Sequence, residues 1–265
     1  MSSFVIKVVA IIAMTIDHFI YTIGQSGLMD IFHMSMKTSY VIIKIMSIIG
    51  RMAFPLFAFM IAEGCRKTGN IKKYAGRLAI FALISEPFFY FANNYKQSVT
   101  FRDFLVNLSE LHFENIFFTL AVSVMAIYLY QILRAKLHEK AKYLFFPLML
   151  AAALLAQFFD MDYGICGVIL IMALYVCKSR KASVTVILLW SICVYGIGGL
   201  IGSGFNWPQI QNVLGLTAGA AFSCLPIWYY NGKRGRNSKW FFYIYYPAHL
   251  LVYTVIGMIA LGYPV

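Results

Sequence analysis

Five ionisable side chains lie inside long apolar segments of the sequence, where charge is costly. They are Asp17, His18, Arg51, Glu86 and His249. A charged side chain at the centre of a bilayer costs about 2.5–3.5 kcal/mol on insertion scales, so such groups usually pair, face water or serve a function. An imidazole can act as a general base, and a guanidinium can bind a carbonyl, carboxylate or phosphate oxygen. These residues are therefore the first candidates for a functional site.

Asp17 and His18 are neighbours in the first apolar segment. They lie about fourteen residues, or ~20 Å, from its start, which places them beyond the membrane midplane. Because adjacent helical residues point about 100° apart, we expect each side chain to contact a different helix. Two interpretations of His18 stay open: a general base, or an imidazole held in a structural hydrogen bond between helices.

Arg51 is predicted in the middle of the second apolar segment, where the run RMAFPLFAFMIAEG begins. Pro55 should kink this helix because proline removes a backbone hydrogen bond. Arg51 needs an acidic partner, and Asp17 is the first choice, followed by Glu86. The pair is either a structural ion pair or part of a clamp for a substrate carbonyl, carboxylate or phosphate.

We predict that Asp17, His18 and Arg51 lie around one water-accessible chamber. Two further segments add polar groups to it. Glu86 precedes Pro87 in the outer half of the third segment, at a depth similar to that of Asp17. The last segment contains FYIYYPAH, with Tyr243, Tyr246 and His249 on one short stretch. Buried tyrosine hydroxyls need hydrogen-bond partners. Convergence of these helices on one chamber is the prediction on which the functional interpretation depends.

A basic loop precedes this last segment. Asn231-Gly232 is a strong turn signal, and Lys233, Arg234, Arg236 and Lys239 follow within a few residues. The loop either sets membrane topology alone or binds the phosphates of a nucleotide-like cofactor such as coenzyme A. The sequence contains no Walker motif, no GxGxxG, no GxSxG and no metal-ligand spacing.

The elements that position these residues are predicted to be transmembrane helices. The 265 residues are 61% hydrophobic and 12% charged, with a mean hydropathy of +0.75. A soluble domain has about twice that charged fraction, and a stretch of about 20 apolar residues crosses a bilayer. We predict an all-α, polytopic bundle forming one membrane domain over 1–265. Its nine helices lie at 4–24, 39–62, 74–92, 115–134, 143–159, 163–178, 182–202, 208–230 and 240–262.

The distribution of charge predicts the orientation. Most of the 22 basic residues lie in alternate short loops, which indicates a cytoplasmic N-terminus and an external C-terminus. The same distribution argues against nucleic-acid binding despite the net charge of +12. The long outer loop 93–114 carries apolar residues at helical spacing, so it is either an interfacial helix or an ordered loop. The five cysteines are expected to be reduced packing residues.

Several short runs, taken together and in order, resemble the TraX family of bacterial membrane proteins. They are Asp17-His18, the run from Arg51 to Gly64, Arg77 with Ser85-Glu86-Pro87-Phe88, Asn115 with Phe117-Phe118-Thr119-Leu120, Asp162-Tyr163-Gly164, Tyr230-Asn231-Gly232-Lys233-Arg234-Gly235, and Phe242-Tyr243 with Tyr246-Pro247 and His249. The resemblance covers nearly the whole chain and implies a multi-pass protein of the bacterial cytoplasmic (inner) membrane.

The family is named for the F-pilin acetylase, so the resemblance implies an acetyl-CoA-dependent acyltransferase without a metal. By position, His18 would be the general base or a transient acyl carrier, with Asp17 and Arg51 supporting it. The acetyl-CoA site is predicted from a group of residues in the loop and helices: Lys233, Arg234, Asn231, Tyr246, His249 and Arg77. Glu86 and Tyr243 are predicted substrate contacts. The acceptor is an amine or hydroxyl, on a pilin or peptide N-terminus or on a cell-envelope glycan.

Two other classes of protein remain open. Prolines and buried ions in the helices also suit a transporter or flippase for a small anionic or lipidic solute. A non-catalytic membrane partner in a secretion or conjugation assembly is the third alternative.

Overall fold

The computed structural model describes residues 1–236 and 239–261, and the side chain of Lys239 is also outside the described part. The described chain is all-helical, with 84% helix and no strand. The predicted end of the last helix at residue 262 lies outside the described residues. Fourteen α-helices follow one another in these ranges: α1 Ser3–Thr22, α2 Gly24–Asp30, α3 Met36–Gly50, α4 Ala53–Lys67, α5 Ile71–Asn94, α6 Phe101–Ser109, α7 Ile116–Leu137, α8 Lys142–Phe158, α9 Gly164–Val176, α10 Arg180–Ser191, α11 Gly198–Ser203, α12 Trp207–Phe222, α13 Cys224–Trp228 and α14 Lys239–Leu261.

Seven helical runs within the described ranges are long and apolar enough to cross a membrane. The predicted fourth and fifth helices fall in one such run, Ile116–Phe158, where a 3₁₀ turn at His138–Ala141 joins α7 to α8. The predicted sixth helix is α9, whose 13 residues span about 20 Å, less than the ~30 Å of the hydrocarbon core. An all-helical fold, with several helices long and apolar enough to span a membrane, is confirmed. The count of nine and the orientation of the termini stay predictions.

The predicted second helix, 39–62, is broken rather than kinked. It ends as α3 at Gly50 and restarts as α4 at Ala53, so Arg51 lies at the break and not in mid-helix as predicted. Pro55 falls in the first turn of α4, where a backbone N–H has no helical acceptor and its loss costs little. The break at Arg51 and Met52 lies where Pro55 is expected to disturb the helix, since proline cannot bond the carbonyl of the residue four positions before it and its ring clashes with that carbonyl.

The predicted seventh helix, 182–202, also has an interruption. Residues Ile192–Ile197 form a π-helical segment between α10 and α11. Single π-helical turns inside longer helices often occur at functional sites because they redirect side chains. The predicted eighth helix, 208–230, is divided into α12 and α13.

The described chain divides into two compact units. The first contains Met1–Phe57, Phe91–Val99 and the chain from Ser179 onward. In this unit α1 packs against both α3 and α14, and α3 also packs against α12. The contact between α3 and α12 is close, because a Cβ atom on Gly219 would lie 2.9 Å from the carbonyl carbon of Ile48. Helix α1 therefore has two neighbouring helices, α3 and α14, that its polar side chains can contact.

The second unit contains Ala58–Tyr90 and Thr100–Lys178. Helices α7, α8 and α9 pack against one another within it. The segment 93–114 includes helix α6, which begins with a capping box between Thr100 and Asp103. The helix predicted in this segment is therefore present, and its location at the membrane interface stays a prediction. The Tyr90 and Phe104 rings pack with centroids 5.4 Å apart.

Candidate functional site

The predicted ion pair between Asp17 and Arg51 is present. Arg51 Nη2 donates a hydrogen bond to Asp17 Oδ1. Both side chains are 14% exposed, so the pair is largely withdrawn from solvent. Arg51 occupies the C-terminal cap of α3, where its N–H bonds the carbonyl oxygen of Ser47 at 3.3 Å. The break between α3 and α4 thus places a cation beside the C-terminal half of α1.

Two tyrosines flank the Arg51 guanidinium. Its Cζ atom lies 5.8 Å from the ring centroids of both Tyr21 and Tyr195, and its Nη2 also donates to the Tyr21 hydroxyl at 3.0 Å. Tyr21 follows Asp17 by four residues and therefore shares its helix face. Tyr195 belongs to the π-helical segment Ile192–Ile197. An aromatic ring near a guanidinium contributes a favourable cation–π interaction.

His18 contacts a different neighbour of α1, as the 100° rotation between adjacent residues predicts. Its Nδ1 atom lies 2.6 Å from Nε2 of His249 on α14. The second nitrogen of His249, Nδ1, lies 2.9 Å from the carbonyl oxygen of Tyr245. His249 is only 7% exposed, whereas His18 is partly exposed. The two imidazoles predicted for different roles are therefore direct hydrogen-bond partners.

Aromatic and hydroxyl groups surround this histidine pair. The Tyr246 ring lies edge-on to both imidazoles, with centroid distances of 5.7 Å to each. The Tyr245 ring is nearly parallel to that of His249 at 5.2 Å, and its hydroxyl lies 2.7 Å from Thr15 Oγ1. The Tyr253 hydroxyl donates to the carbonyl oxygen of Thr15 at 3.1 Å. These groups limit the movement of His249.

Five residues of this region were not among the predicted site residues: Thr15, Tyr21, Tyr195, Tyr245 and Tyr253. Helical spacing could have identified three of them, since Tyr21 follows Asp17 by four residues and Tyr245 and Tyr253 lie four residues before and after His249. Tyr195 carries no such signal, because its position depends on the π-helical segment. Tyr243, a predicted substrate contact, is buried on α14, where its ring lies 6.3 Å from that of Trp240.

Glu86 occupies a different setting from the one predicted. It belongs to the second unit, where its Oε1 accepts from the backbone N–H of Glu114 at 2.8 Å and its Oε2 from that of Asn115 at 3.2 Å. The Asn115 side chain donates to Oε2 as well and also to the carbonyl oxygen of Ala82. Asn115 Oδ1 in turn accepts from Phe117 N at the start of α7. This geometry favours a structural clasp on the N-terminus of α7 over a substrate contact.

The basic loop lies against the start of α1. The N–H groups of Ser3 and Phe4 donate to the carbonyl oxygens of Lys233 and Arg234 at 2.9 and 3.1 Å. These carbonyls satisfy two of the N–H groups that a helix N-terminus leaves without partners. The loop side chains at 231, 233, 234 and 236 are exposed. Along α1, the loop and His18 are therefore separated by fifteen residues, about 22 Å.

The remaining predicted cofactor residues are distributed widely. Asn231 Oδ1 accepts from Lys233 N at 3.0 Å, an interaction that shapes the turn. Arg77 belongs to the second unit, where its Cζ lies 5.7 Å from the Tyr74 ring. Tyr246 and His249 lie beside His18. Among residues 1–236 and 239–261, no group of three or more His, Cys, Asp or Glu residues could hold a metal ion.

The arrangement on α1 supports acid–base chemistry next to a fixed positive charge. His18 supplies an imidazole, and the preceding residue, Asp17, holds the Arg51 guanidinium. A base and a cation at neighbouring positions are the two elements that acyl transfer requires, one for the proton and one for the oxyanion. Both come from the first unit, whereas Glu86 and Arg77 belong to the second. The convergence of all these residues on one chamber stays a prediction.

Comparison with known proteins places the chain in a family. A protein of Dichelobacter nodosus described as "Probable fimbrial assembly protein FimC, serogroup H1" is 30% identical over 260 residues, which cover 94% of this chain and 93% of the relative. No solved structure matches the chain. A family model described as TraX protein matches residues 2–257. Because this match extends over nearly the whole chain, the protein belongs to the TraX family.

Proposed function

We propose that this protein is a membrane-embedded acyltransferase that moves an acetyl group from cytoplasmic acetyl-CoA to an amine or hydroxyl acceptor. The observation that supports this proposal most strongly is that His18 and the Asp17 partner of Arg51 are neighbours in the C-terminal half of α1. His18 supplies an imidazole, and the adjacent residue Asp17 binds the Arg51 guanidinium. These two groups fit a reaction that moves one proton and creates one negative charge.

In the proposed reaction, the acceptor nitrogen or oxygen attacks the thioester carbonyl carbon while His18 takes the proton of the acceptor. The Arg51 guanidinium stabilises the negative charge that develops on the carbonyl oxygen. The carbon–sulfur bond then breaks, and the coenzyme A sulfur leaves with the proton returned by His18. Asp17 keeps Arg51 in place throughout. Donor, acceptor and proton balance without an oxidant or a metal.

The donor is proposed to enter from the end of α1 at which the basic loop lies. Lys233 and Arg234 are exposed there, and cationic side chains are suited to phosphate groups. The acetyl end must then extend about 22 Å along α1 to reach His18, a distance comparable to the length of the pantetheine arm. Replacing Lys233 and Arg234 by Ala is expected to raise the KM for acetyl-CoA with little change in kcat.

The acceptor is proposed to be the N-terminal amine of a pilus subunit or another envelope peptide. The relative from Dichelobacter nodosus is described as a probable fimbrial assembly protein, which favours a peptide acceptor over a glycan. A peptide with a free N-terminus and the same peptide with a blocked N-terminus distinguish an amine acceptor from a hydroxyl acceptor.

Transport of a small anionic or lipidic solute is the second candidate, because two of the membrane helices are discontinuous. The break at Arg51 and the π-helical segment at Ile192–Ile197 resemble the interrupted helices that line substrate sites in transporters. Arg51 would then bind the anion rather than an oxyanion intermediate.

The test uses the purified protein in lipid nanodiscs with radiolabelled acetyl-CoA and the two peptides. Transfer of label to the free peptide, together with a higher unfolding temperature when coenzyme A is added, is the result that the acyltransferase proposal expects. No transfer to a peptide or glycan acceptor, combined with stabilisation by small anions but not by coenzyme A, would favour the transporter instead.

A further inference from the structure

A chain of two hydrogen bonds connects a backbone carbonyl to His18. The carbonyl oxygen of Tyr245 lies 2.9 Å from His249 Nδ1, and His249 Nε2 lies 2.6 Å from His18 Nδ1. A carbonyl oxygen can only accept a hydrogen bond, so His249 Nδ1 must carry the proton. Since a neutral imidazole has one N–H, His249 Nε2 presents a lone pair to His18.

The proton position on His18 follows from that on His249. Because His249 Nε2 can only accept, His18 Nδ1 must donate, and its own proton is on Nδ1. The other nitrogen of His18, Nε2, is then left with a lone pair. In water, a neutral histidine favours the Nε2–H tautomer only slightly. A single hydrogen bond from Nδ1–H therefore decides the tautomer.

The surroundings of His249 keep its ring in the required orientation. The Tyr245 ring is parallel to the imidazole within 12° at 5.2 Å. The Tyr246 and Tyr253 rings approach it edge-on at 5.7 and 6.0 Å. With 7% exposure, His249 has little freedom to rotate and lose the bond to the Tyr245 carbonyl. In contrast, His18 is partly exposed, as a group that meets a substrate should be.

We propose that His249 is a positioning residue that fixes His18 as the Nδ1–H tautomer and thereby makes His18 Nε2 the proton acceptor. This assignment rests on the proposed acyltransferase function for its catalytic meaning. When Nε2 takes the proton of the acceptor, the Nδ1–H of the resulting imidazolium stays bonded to His249 Nε2. The proton then passes from His18 Nε2 to the departing sulfur. His249 therefore acts through His18 and does not touch the substrate.

The chemistry resembles the carboxylate-oriented histidine of hydrolytic triads, with a neutral imidazole and a backbone carbonyl in place of the carboxylate. A partner of this kind orients the ring but does not neutralise its charge. Loss of the partner is expected to lower kcat about tenfold to a hundredfold, which is typical for groups that orient a functional histidine. The KM for acetyl-CoA should stay the same, since His249 holds neither substrate.

The test compares His249→Gln, which keeps an acceptor within reach of His18, with His249→Phe, which keeps a planar ring but no acceptor. Nitrogen-15 NMR of the imidazole rings, with the His18 signals assigned from the His18→Ala variant, reports the tautomer directly and requires no substrate. We expect Nδ1–H at His18 in the wild type and in His249→Gln, and a shift towards Nε2–H in His249→Phe.

Two outcomes overturn this assignment: Nε2–H at His18 in the wild type, or an unchanged His18 tautomer in His249→Phe. If His249→Phe does not fold, the wild-type spectrum and that of His249→Gln still decide. The kinetic comparison is separate, and kcat should fall in His249→Phe but largely survive in His249→Gln. A wild-type protein that shows the Nδ1–H tautomer yet transfers no acetyl group would contradict the proposed function alone.

Discussion

The carboxylate of Asp17 lies against the backbone of Gly50, the residue before its ion-pair partner. A Cβ atom at residue 50 would come within 2.8 Å of Asp17 Cβ and 2.9 Å of its Cγ. Only a residue without a side chain therefore permits α1 and α3 to approach closely enough for Asp17 to reach Arg51. The glycine is as much a requirement of the ion pair as the two charges are.

Replacing Gly50 by Ala is expected to displace Asp17 and to destabilise the protein by about 1–3 kcal/mol, the usual cost of overpacking. Thermal unfolding in detergent measures the effect. Gly76→Ala is the matched control because a Cβ on this glycine of α5 would have nothing within 4 Å. That variant should be neutral or more stable by about 0.5–1 kcal/mol. Equal effects of both substitutions would rule out the close contact at Gly50.

The Asp17–Arg51 pair should show strong coupling in a double-mutant cycle. Asp17→Asn or Arg51→Gln alone leaves a poorly compensated charge in the membrane, which costs about 3–5 kcal/mol for a buried pair. The double variant should lose less than the sum of the two, with a coupling of about 0.5–3 kcal/mol. The free energy of unfolding in mixed micelles gives all four values.

The surface pair Glu63–Lys67 provides the comparison for this cycle. Its atoms are 2.6 Å apart, but Lys67 is 49% exposed, so Lys67→Ala should cost less than about 1 kcal/mol. A buried pair whose cycle shows no more coupling than this exposed one would mean that Asp17 and Arg51 do not interact in the folded protein.

Glu86 should matter for stability rather than for catalysis. Glu86→Gln replaces one accepting oxygen by an NH₂ group that faces the N–H donors of Glu114 and Asn115. A buried donor without a partner costs about 1–3 kcal/mol, so the unfolding temperature should fall, while acetyl transfer per folded molecule is retained. Glu110→Gln, at a side chain that is 64% exposed, should change neither. An unchanged stability with a raised KM for the acceptor would restore Glu86 as a substrate contact.

The stability of the connection between α6 and α7 should depend on pH through Glu114. The pKa of Glu114 is raised above its ordinary value, mainly by burial; the nearby His112 lowers it and Asp160 raises it. A carboxyl group whose pKa is raised in the folded state favours folding while it is protonated. This contribution is lost as the pH rises through the pKa of the unfolded state and then through that of the folded state. Glu114→Gln should therefore raise the unfolding temperature more at pH 7 than at pH 4. A difference that does not depend on pH would contradict the shift.

The sequence was sufficient to predict the ion pair between Asp17 on α1 and Arg51 at the end of α3. A charge in an apolar helix needs a partner at a similar depth, and Asp17 met this condition best for Arg51. The 100° rotation between neighbours also predicted correctly that Asp17 and His18 would contact different helices. Both predictions depend on local geometry and the cost of charge in a membrane, which one sequence contains.

Other features depended on tertiary packing and could not be predicted in this way. Pro55 predicted a disturbance of the helix near Arg51, but whether the helix only bends there or ends and restarts depends on the surrounding packing. The contact between His18 and His249 joins residues 231 positions apart, and no spacing rule relates them. The hydrogen bonds between Glu86 and Asn115 were missed for a similar reason: both residues were recognised in family motifs, but no spacing rule relates residues 29 positions apart.

The most direct test of the proposed function is acetyl transfer by the purified His18→Ala variant in nanodiscs with labelled acetyl-CoA. His33→Ala is the matched control because His33 is exposed and lies outside the candidate site. The proposal predicts that His18→Ala loses at least about a hundredfold in rate, the low end of general-base catalysis, while it stays folded and His33→Ala keeps wild-type activity. A folded His18→Ala variant that transfers acetyl groups at the wild-type rate would contradict the central claim.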